Sequence, residues 1–297
     1  MWKKLFFILI CTIFGVFPES WVQAEFTLYY WNDDIVNFGD YLSLKLVERI
    51  VGGPVRAHAK GSPIKERRLL AIGSILSFAR TNDVIWGSGI NGKVLDLKCY
   101  KFTNLDIRAV RGPLTRDFLM KHFNITCPVV YGDPALLVPY LFPEFKRKAN
   151  PRYEYLIVPH YSEEKLFPKE QYENVVYPTE PWDVVINKIL DSKFVISSSL
   201  HGIIIAEAFG IPARLLKITN NEPIFKYADY YLGTNRPNFK AAISVKQALQ
   251  MGGEKPVRCD LKKLYEAFPK DLCPDANLMV LDFNQLNGVS NEDAAAI

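Results

Sequence analysis

Short apolar runs alternate with amphipathic stretches over most of this chain, and this alternation restricts its fold more than any other feature. Short apolar runs are typical of buried strands, and amphipathic stretches are typical of helices that cover a sheet. We therefore predict an α/β fold with largely parallel strands. The predicted strands are FTLYYW, RRLLAIGS, DVIWGSG, DIRAV, PVVYG, YEYLIVPH, NVVYP and KFVISSS. The predicted helices are DYLSLKLVERIV, LTRDFLMKHF, PWDVVINKIL and IIIAEAFG.

One segment rich in proline and positive charge interrupts this pattern. PYLFPEFKRKANPR, residues 139–152, predicts a linker between two units. We expect an N-terminal lobe over residues 25–145 and a C-terminal lobe over residues 146–250. Residues 251–297 are expected to form a helical extension that ends in a frayed tail.

The first 24 residues differ in kind from the rest. A basic MWKK precedes the apolar run LFFILICTIFGVF, and Val22 and Ala24 occupy the small-residue positions of a signal peptidase site. The apolar run is short for a membrane span. We predict a cleaved export signal, with an uncleaved membrane anchor and a buried N-terminal helix as alternatives. The expected location is the secretory pathway, as a periplasmic, lumenal or anchored protein, with the cytoplasmic face as the alternative.

Four cysteines lie outside this segment, and their even number permits two disulfides in an exported chain. Cys259 and Cys273 are close enough in sequence to close a loop, which would leave Cys99 and Cys127 as the second pair. The sequence contains no CxxC or HxxxH spacing, so we predict no metal site.

The charge balance argues against a nucleic-acid partner. The net charge is only +4, and the positive residues form no stripe or recognisable binding motif.

Six polar loops follow predicted strands, several of them directly before a helix. Because ligands bind at the carboxyl ends of the strands in open α/β sheets, six such loops indicate one binding cleft. A single Gly-Asp loop would be weak support, since both residues are common in turns and caps. The loops are residues 37–40, 87–89, 111–113, 132–134, 159–161 and 197–202.

Several blocks of the chain resemble the polysaccharide pyruvyl transferase family, in that family's order and over residues 30–235. The resemblance implies two Rossmann-like lobes of the GT-B type that face a central cleft. It also implies transfer of pyruvate from phosphoenolpyruvate, as co-substrate and without a further cofactor, onto two hydroxyls of a cell-surface or exopolysaccharide sugar to form a ketal. The blocks are NFGDYLSLKLVERI, VIWGSGI, RAVRGPLTRDFL, YGDPALLVPYL, LIVPHY, VISSSLHGIIIAEAFGIPAR and IFKYADYY.

The chain departs from the family pattern in two places. Many members have Arg-Leu-His where this chain has Ser199-Leu200-His201, so an anion-binding arginine is absent at Ser199. The predicted export signal is the second departure, because phosphoenolpyruvate is a cytosolic compound.

His201 is the predicted catalytic acid. Ketal formation needs a proton at the methylene carbon of the donor, and imidazole titrates near neutrality. Ser198, Ser199 and the amide of Gly202 lie where a helix N-terminus could bind the donor phosphate. Plain helix capping is the alternative for these serines.

Three basic residues are predicted to bind the donor. Arg111 lies in a loop and Arg116 lies one turn into the next helix, and arginine is the natural bidentate partner of carboxylate or phosphate. Lys226 is predicted as a second anion contact. For Arg116, a salt bridge is the alternative.

Four further residues complete the predicted site. Asp40 is predicted to be catalytic, and Asn37, Asp133 and His160 are predicted to bind or orient the acceptor. Helix capping is the alternative for Asn37, Asp40 and Asp133, and packing between the lobes is the alternative for His160.

Two other functions stay open at this point. The same two-lobe fold serves nucleotide-sugar glycosyltransferases, and a silent glycan-binding protein could keep the fold without donor binding. The expected partners are phosphoenolpyruvate and a glycan or lipid-linked saccharide, with membrane association through residues 1–24.

Overall fold

Two separate parallel β-sheets form the framework of the protein. The computed structural model describes residues 22–32, 36–58 and 66–284, so nearly all of the predicted export segment lies outside the described residues. The first sheet has the strand order β1 (Thr27–Tyr29), β2 (Arg68–Leu70), β3 (Val84–Trp86) and β4 (Asp106–Ala109). The second has the order β5 (Leu156–Val158), β6 (Val195–Ser197) and β7 (Ala213–Leu215). All neighbouring strands are parallel, which confirms the predicted α/β class.

Helices follow most of the strands. They are α1 (Phe38–Val51), α2 (Pro113–Phe123), α3 (Val138–Leu141), α4 (Trp182–Leu190), α5 (Leu200–Ala208), α6 (Phe225–Gly233), α7 (Val245–Met251) and α8 (Leu261–Glu266). Short 3₁₀ helices cover Leu76–Phe78, Leu97–Cys99, Pro134–Leu137, Tyr161–Leu166 and Lys270–Leu272. Among the described residues, no helix has the length and apolar character that crossing a membrane requires.

Helix α1 shows how the sequence sets these boundaries. Asn37 caps its first turn by accepting a hydrogen bond from the Gly39 N–H at 2.9 Å. Gly52 ends it in the left-handed conformation at φ 75°, which glycine adopts without steric cost. Leu42, Leu46 and Ile50 recur with helical spacing and are fully buried.

The predicted strands differ from the structure in two places. PVVYG and NVVYP form only the single bridges Val110–Tyr131 and Ile157–Val175, because the chain leaves each sheet edge after one pairing. Strand β7 was not predicted, because an arginine stands at its centre. Arg214 is nevertheless buried, since its guanidinium donates to the carbonyls of Gly252 and Gly253.

The segment predicted to be a linker begins inside the core. Pro139 and Leu141 are buried in α3, and Phe142 after it is also buried, whereas residues 146–150 are exposed. A proline is tolerated in the first turn of a helix, which is why the segment can start as helix and not as loop.

One hydrophobic cluster joins the two sheets. It contains Leu28 and Trp86 from the first sheet together with Val158 and Val195 from the second. The C-terminal segment strengthens this connection, because the Trp86 indole donates to the carbonyl of Leu264 at 2.8 Å.

The predicted disulfides are absent. Cys99, Cys127, Cys259 and Cys273 are all free, with Cys99 exposed and Cys127 and Cys273 buried. Cys259 instead donates its thiol hydrogen to the Tyr131 carbonyl at 3.3 Å. Burial raises the pKa of the Cys127 and Cys273 thiols to about 11 and that of Cys259 to about 12, so these thiols stay protonated at neutral pH.

Candidate active site

The turn between β6 and α5 is held by its own serines. Ser197 Oγ lies 2.7 Å from the Val158 carbonyl and accepts a hydrogen bond from the Ser199 N–H at 3.0 Å. Ser198 Oγ accepts from the His160 N–H at 2.8 Å. Ser199 stands at the N-cap without a side-chain capping bond, and a Cβ at Gly202 would lie 2.5 Å from Ser197 Oγ. The turn therefore fixes the start of α5, on which His201 stands.

His201 lies between the two sheets against the start of α1. A Cβ at Gly39 would lie 2.0 Å from His201 Nδ1, so only glycine fits there. The Phe38 ring meets the imidazole edge-on at 6.5 Å between centroids. On the other side, His201 Nε2 lies 3.7 Å from Asp133 Oδ2.

The two facing atoms of His201 and Asp133 are buried and, within the described residues, have no hydrogen-bond partner. Asp133 uses its other oxygen, Oδ1, to cap the Pro134–Leu137 turn by accepting from the Ala135 N–H at 2.9 Å. Buried polar atoms almost always have partners, and the exceptions are typical of functional sites. The capping alternative is therefore observed for Asp133, and its orienting role stays a prediction.

Asp40 stands in the first turn of α1 beside this pair. Burial raises the pKa of its carboxyl to about 6; the positive charges of His201 and Lys226 oppose the shift, and the charge of Asp133 adds to it. A carboxyl with that pKa exchanges protons near neutral pH, which suits a general acid or base.

Arg111 is fully buried and its donors are used within the protein. Its Nε donates to Asp229 Oδ2 at 3.1 Å, and its other nitrogens donate to Ser74 Oγ and the Ile90 carbonyl. Thr115 adds two hydrogen bonds to the same Asp229 carboxylate. The RGPLTR motif therefore joins α2 to α6, and donor binding by Arg111 stays a prediction.

Arg116 and Asn37 also lie where their structural alternatives predict. Arg116 donates to the Cys127 carbonyl at 3.1 Å and lies 3.7 Å from Asp117, and it contacts none of the residues around His201. The side-chain oxygen of Asn37 caps α1 by accepting from the Gly39 N–H.

Lys226 and His160 belong to a second group of ionisable side chains, which lies next to His201 and Asp40. Lys226 is buried and donates to Glu222, and His160 Nε2 lies 3.6 Å from the same carboxylate. Lys93 also donates to Glu222. Sequence reasoning missed Lys93 and Glu222, although the spacing of four between Glu222 and Lys226 and the place of Lys93 after β3 were available signals.

Fold and site together define an α/β protein with two parallel sheets and an imidazole–carboxylate pair whose facing atoms are buried. A family model described as polysaccharide pyruvyl transferase matches residues 26–220. The chain belongs to this family. This membership supports its assignment as a pyruvyl transferase enzyme of polysaccharide biosynthesis.

Two proteins are similar to this chain over about two thirds to three quarters of its length. The succinoglycan biosynthesis protein ExoV of Rhizobium meliloti is 31% identical over 214 residues, which cover 68% of this chain and 63% of that protein. Protein L143 of Acanthamoeba polyphaga mimivirus, described as uncharacterised, is 29% identical over 232 residues, 73% of this chain and 78% of its own.

A solved structure is a more distant match. A functionally uncharacterised protein of Klebsiella pneumoniae covers 81% of this chain and 98% of its own length, at 13% identity and a TM-score of 0.44. This likeness is too weak to define fold or function.

Proposed function

We propose that this enzyme transfers pyruvate from phosphoenolpyruvate to two hydroxyls of one sugar residue and forms a ketal. The acceptor is a cell-surface glycan or a lipid-linked saccharide. The observation that carries the proposal is the pair of facing atoms on His201 and Asp133, which lack hydrogen-bond partners among the described residues and lie beside Asp40. An enzyme that must move three protons in one turnover needs such groups within a dry pocket.

In the proposed reaction, His201 gives a proton to the methylene carbon of phosphoenolpyruvate. The adjacent carbon becomes cationic, and the oxygen of the first sugar hydroxyl bonds to it. The bond from that carbon to the phosphate oxygen then breaks, and phosphate leaves with the bonding electrons. The second hydroxyl oxygen bonds to the same carbon, which completes the ketal.

Asp40 is the proposed base in this scheme. Each attacking hydroxyl loses one proton, and a carboxylate with a pKa of about 6 accepts it at neutral pH and releases it readily. Asp133 is the proposed positioning residue, because its Oδ2 lies 3.7 Å from His201 Nε2. One of the two released protons returns the imidazole to its acidic form, and the other leaves with the phosphate.

We also propose the finer architecture that the resemblance implies. Residues 25–145 and 146–250 would be two Rossmann-like lobes of the GT-B type, each with one of the two sheets. Residues 1–24 would direct export or anchor the chain, and the donor would then have to reach the same compartment.

The test is a reaction of the purified protein with phosphoenolpyruvate and β-galactoside or β-mannoside acceptors. Phosphate release is measured, and the ketal is identified by NMR from the methyl group of the transferred pyruvate. His201→Ala should abolish both signals and leave the circular dichroism spectrum unchanged. Phosphate release that equals the wild type in His201→Ala, or none with any acceptor and no binding of phosphoenolpyruvate, would refute the proposal.

A further inference from the structure

Three basic side chains converge on one buried carboxylate beside the candidate active site. Glu222 Oε2 accepts from Lys226 Nζ at 2.5 Å, and Glu222 Oε1 accepts from Lys93 Nζ and lies 3.6 Å from His160 Nε2. Glu222, Lys226 and His160 are 5%, 6% and 9% exposed, whereas Lys93 reaches solvent. We call Lys93, His160 and Lys226 the cationic pocket.

The members of the cationic pocket come from both halves of the protein. Lys93 lies in the loop after β3, His160 lies at the carboxyl end of β5, and Lys226 lies in the first turn of α6. The charge of Lys226 acts on the Asp40 carboxyl, and that of Arg111 acts on Lys226. The pocket is thus next to the proposed proton-transfer groups, at the edge of the sheets where ligands bind.

The pocket holds more positive charge than Glu222 neutralises. One lysine would suffice for one carboxylate, and the second, Lys93, adds a positive charge at the solvent side of the pocket. His160 responds to this field: burial, followed by the charge of Lys226, lowers its pKa to about 4, although Glu222 opposes the shift. An anionic group of the donor would therefore be attracted to the pocket and could take the place of Glu222.

We propose that the cationic pocket is the subsite for the phosphate or the carboxylate of the donor, and that Glu222 occupies it until the donor displaces it. This inference rests on the proposed function. The start of α5 carries Ser199 and offers no basic side chain except His201, so positive charge for the donor must come from other elements. Glu222 follows the exposed residues Asn220 and Asn221 between β7 and α6, so its displaced carboxylate has a short path to solvent.

The test measures anion binding by isothermal titration calorimetry at constant ionic strength, with inorganic phosphate and with pyruvate as separate probes. Glu222→Gln keeps the size of the side chain and removes the competing charge. It should bind one of the two anions about tenfold more tightly than the wild type. A gain for phosphate assigns the phosphate end of the donor to the pocket, and a gain for pyruvate assigns the carboxylate end. Adding Lys93→Met should abolish the gain.

A matched control removes a different carboxylate. Glu254 pairs with Arg214 outside the cationic pocket, so Glu254→Gln makes the same change in net charge and should leave both affinities unchanged. If Glu222→Gln does not fold, Glu222→Ala replaces it, because it also removes the competing charge. No gain in a folded Glu222 variant, or an equal gain in Glu254→Gln, would overturn the proposal. Because binding needs no turnover, the calorimetry tests the subsite and the assay of phosphate release tests the proposed function, so the two proposals can fail separately.

Discussion

Gly39 in α1 lies against His201 in α5 so closely that a methyl group on its α-carbon would be 2.0 Å from Nδ1. Since the added carbon would meet a ring and not a flexible chain end, the imidazole must move if a side chain is present. This close approach therefore places α1, which follows a strand of the first sheet, directly against His201. His201 is the predicted acid, and its helix α5 follows a strand of the second sheet.

Gly39→Ala should remove most activity and only part of the stability. We expect the displaced imidazole to lower kcat by about 100-fold, since a shift of about 1 Å at a reacting group has that effect. The crowding should lower the free energy of unfolding by about 1–3 kcal/mol. Kinetics and urea unfolding measure the two effects. Gly53→Ala is the control beyond the other end of α1, where a new Cβ would meet only Val22, and it should keep its kcat. An unchanged kcat in Gly39→Ala would contradict the placement of His201.

Asp40→Asn should stabilise the protein at neutral pH. The pKa of Asp40 rises from 3.8 to about 6 on folding, so the native state binds a proton more tightly than the unfolded state. Stability therefore falls as the pH rises from about 4 to 6, and asparagine removes this loss. We expect a gain of about 1–3 kcal/mol at pH 7.5.

Thermal unfolding of wild type and Asp40→Asn from pH 4 to pH 8 measures this difference. The two melting temperatures should approach each other toward pH 4, where the native carboxyl is protonated and proton uptake by the unfolded chain has begun. A gain of the same size at pH 4 and pH 8 would show that the effect does not come from titration of Asp40.

Asp133→Asn should lower kcat with little change in KM for the donor. The amide keeps the size of the side chain and can still cap the Pro134–Leu137 turn through its oxygen, but it withdraws the negative charge that faces His201. We expect a loss of about 10- to 100-fold, the usual cost of an orienting partner.

The pH profile separates this role from a purely structural one. Because the charge of Asp133 contributes to raising the pKa of Asp40, the acidic limb of the kcat profile should move to lower pH in Asp133→Asn. A reduced kcat with an unmoved acidic limb would leave Asp133 as a structural cap alone.

The sequence predicted the α/β class and the closeness of His201, Asp40 and Asp133, because both depend on local patterns. Apolar runs indicate the buried strands. His201 and Asp40 come directly after strands or at helix starts, which indicates that both lie at the carboxyl ends of the strands. The sequence did not predict the hydrogen-bond and ion-pair partners of the polar side chains. Arg111 and Asp229 are 118 residues apart, and only packing of α2 on α6 brings them together. Packing of distant segments likewise brings Lys93 to Glu222. In β7, the Arg214 guanidinium donates to a carbonyl of a later segment, and sequence alone does not show this contact.

Asp229→Asn should destabilise the protein more than it weakens donor binding. Arg111 and Asp229 are both fully buried, so the substitution leaves a guanidinium without its counter-charge in a dry environment. We expect a loss of about 3–5 kcal/mol in the free energy of unfolding. Arg111→Lys should also destabilise, because one ammonium cannot replace the separate bonds to Asp229, Ser74 and Ile90.

Urea unfolding and the donor KM, measured on the same preparations, test this assignment. The exposed pair of Arg56 and Glu66 provides the control, since Glu66→Gln should cost less than about 1 kcal/mol. If Arg111→Lys keeps the wild-type stability and raises only the donor KM, Arg111 binds the donor as the sequence predicted. A large loss of stability with an unchanged donor KM assigns the RGPLTR motif to the junction between α2 and α6.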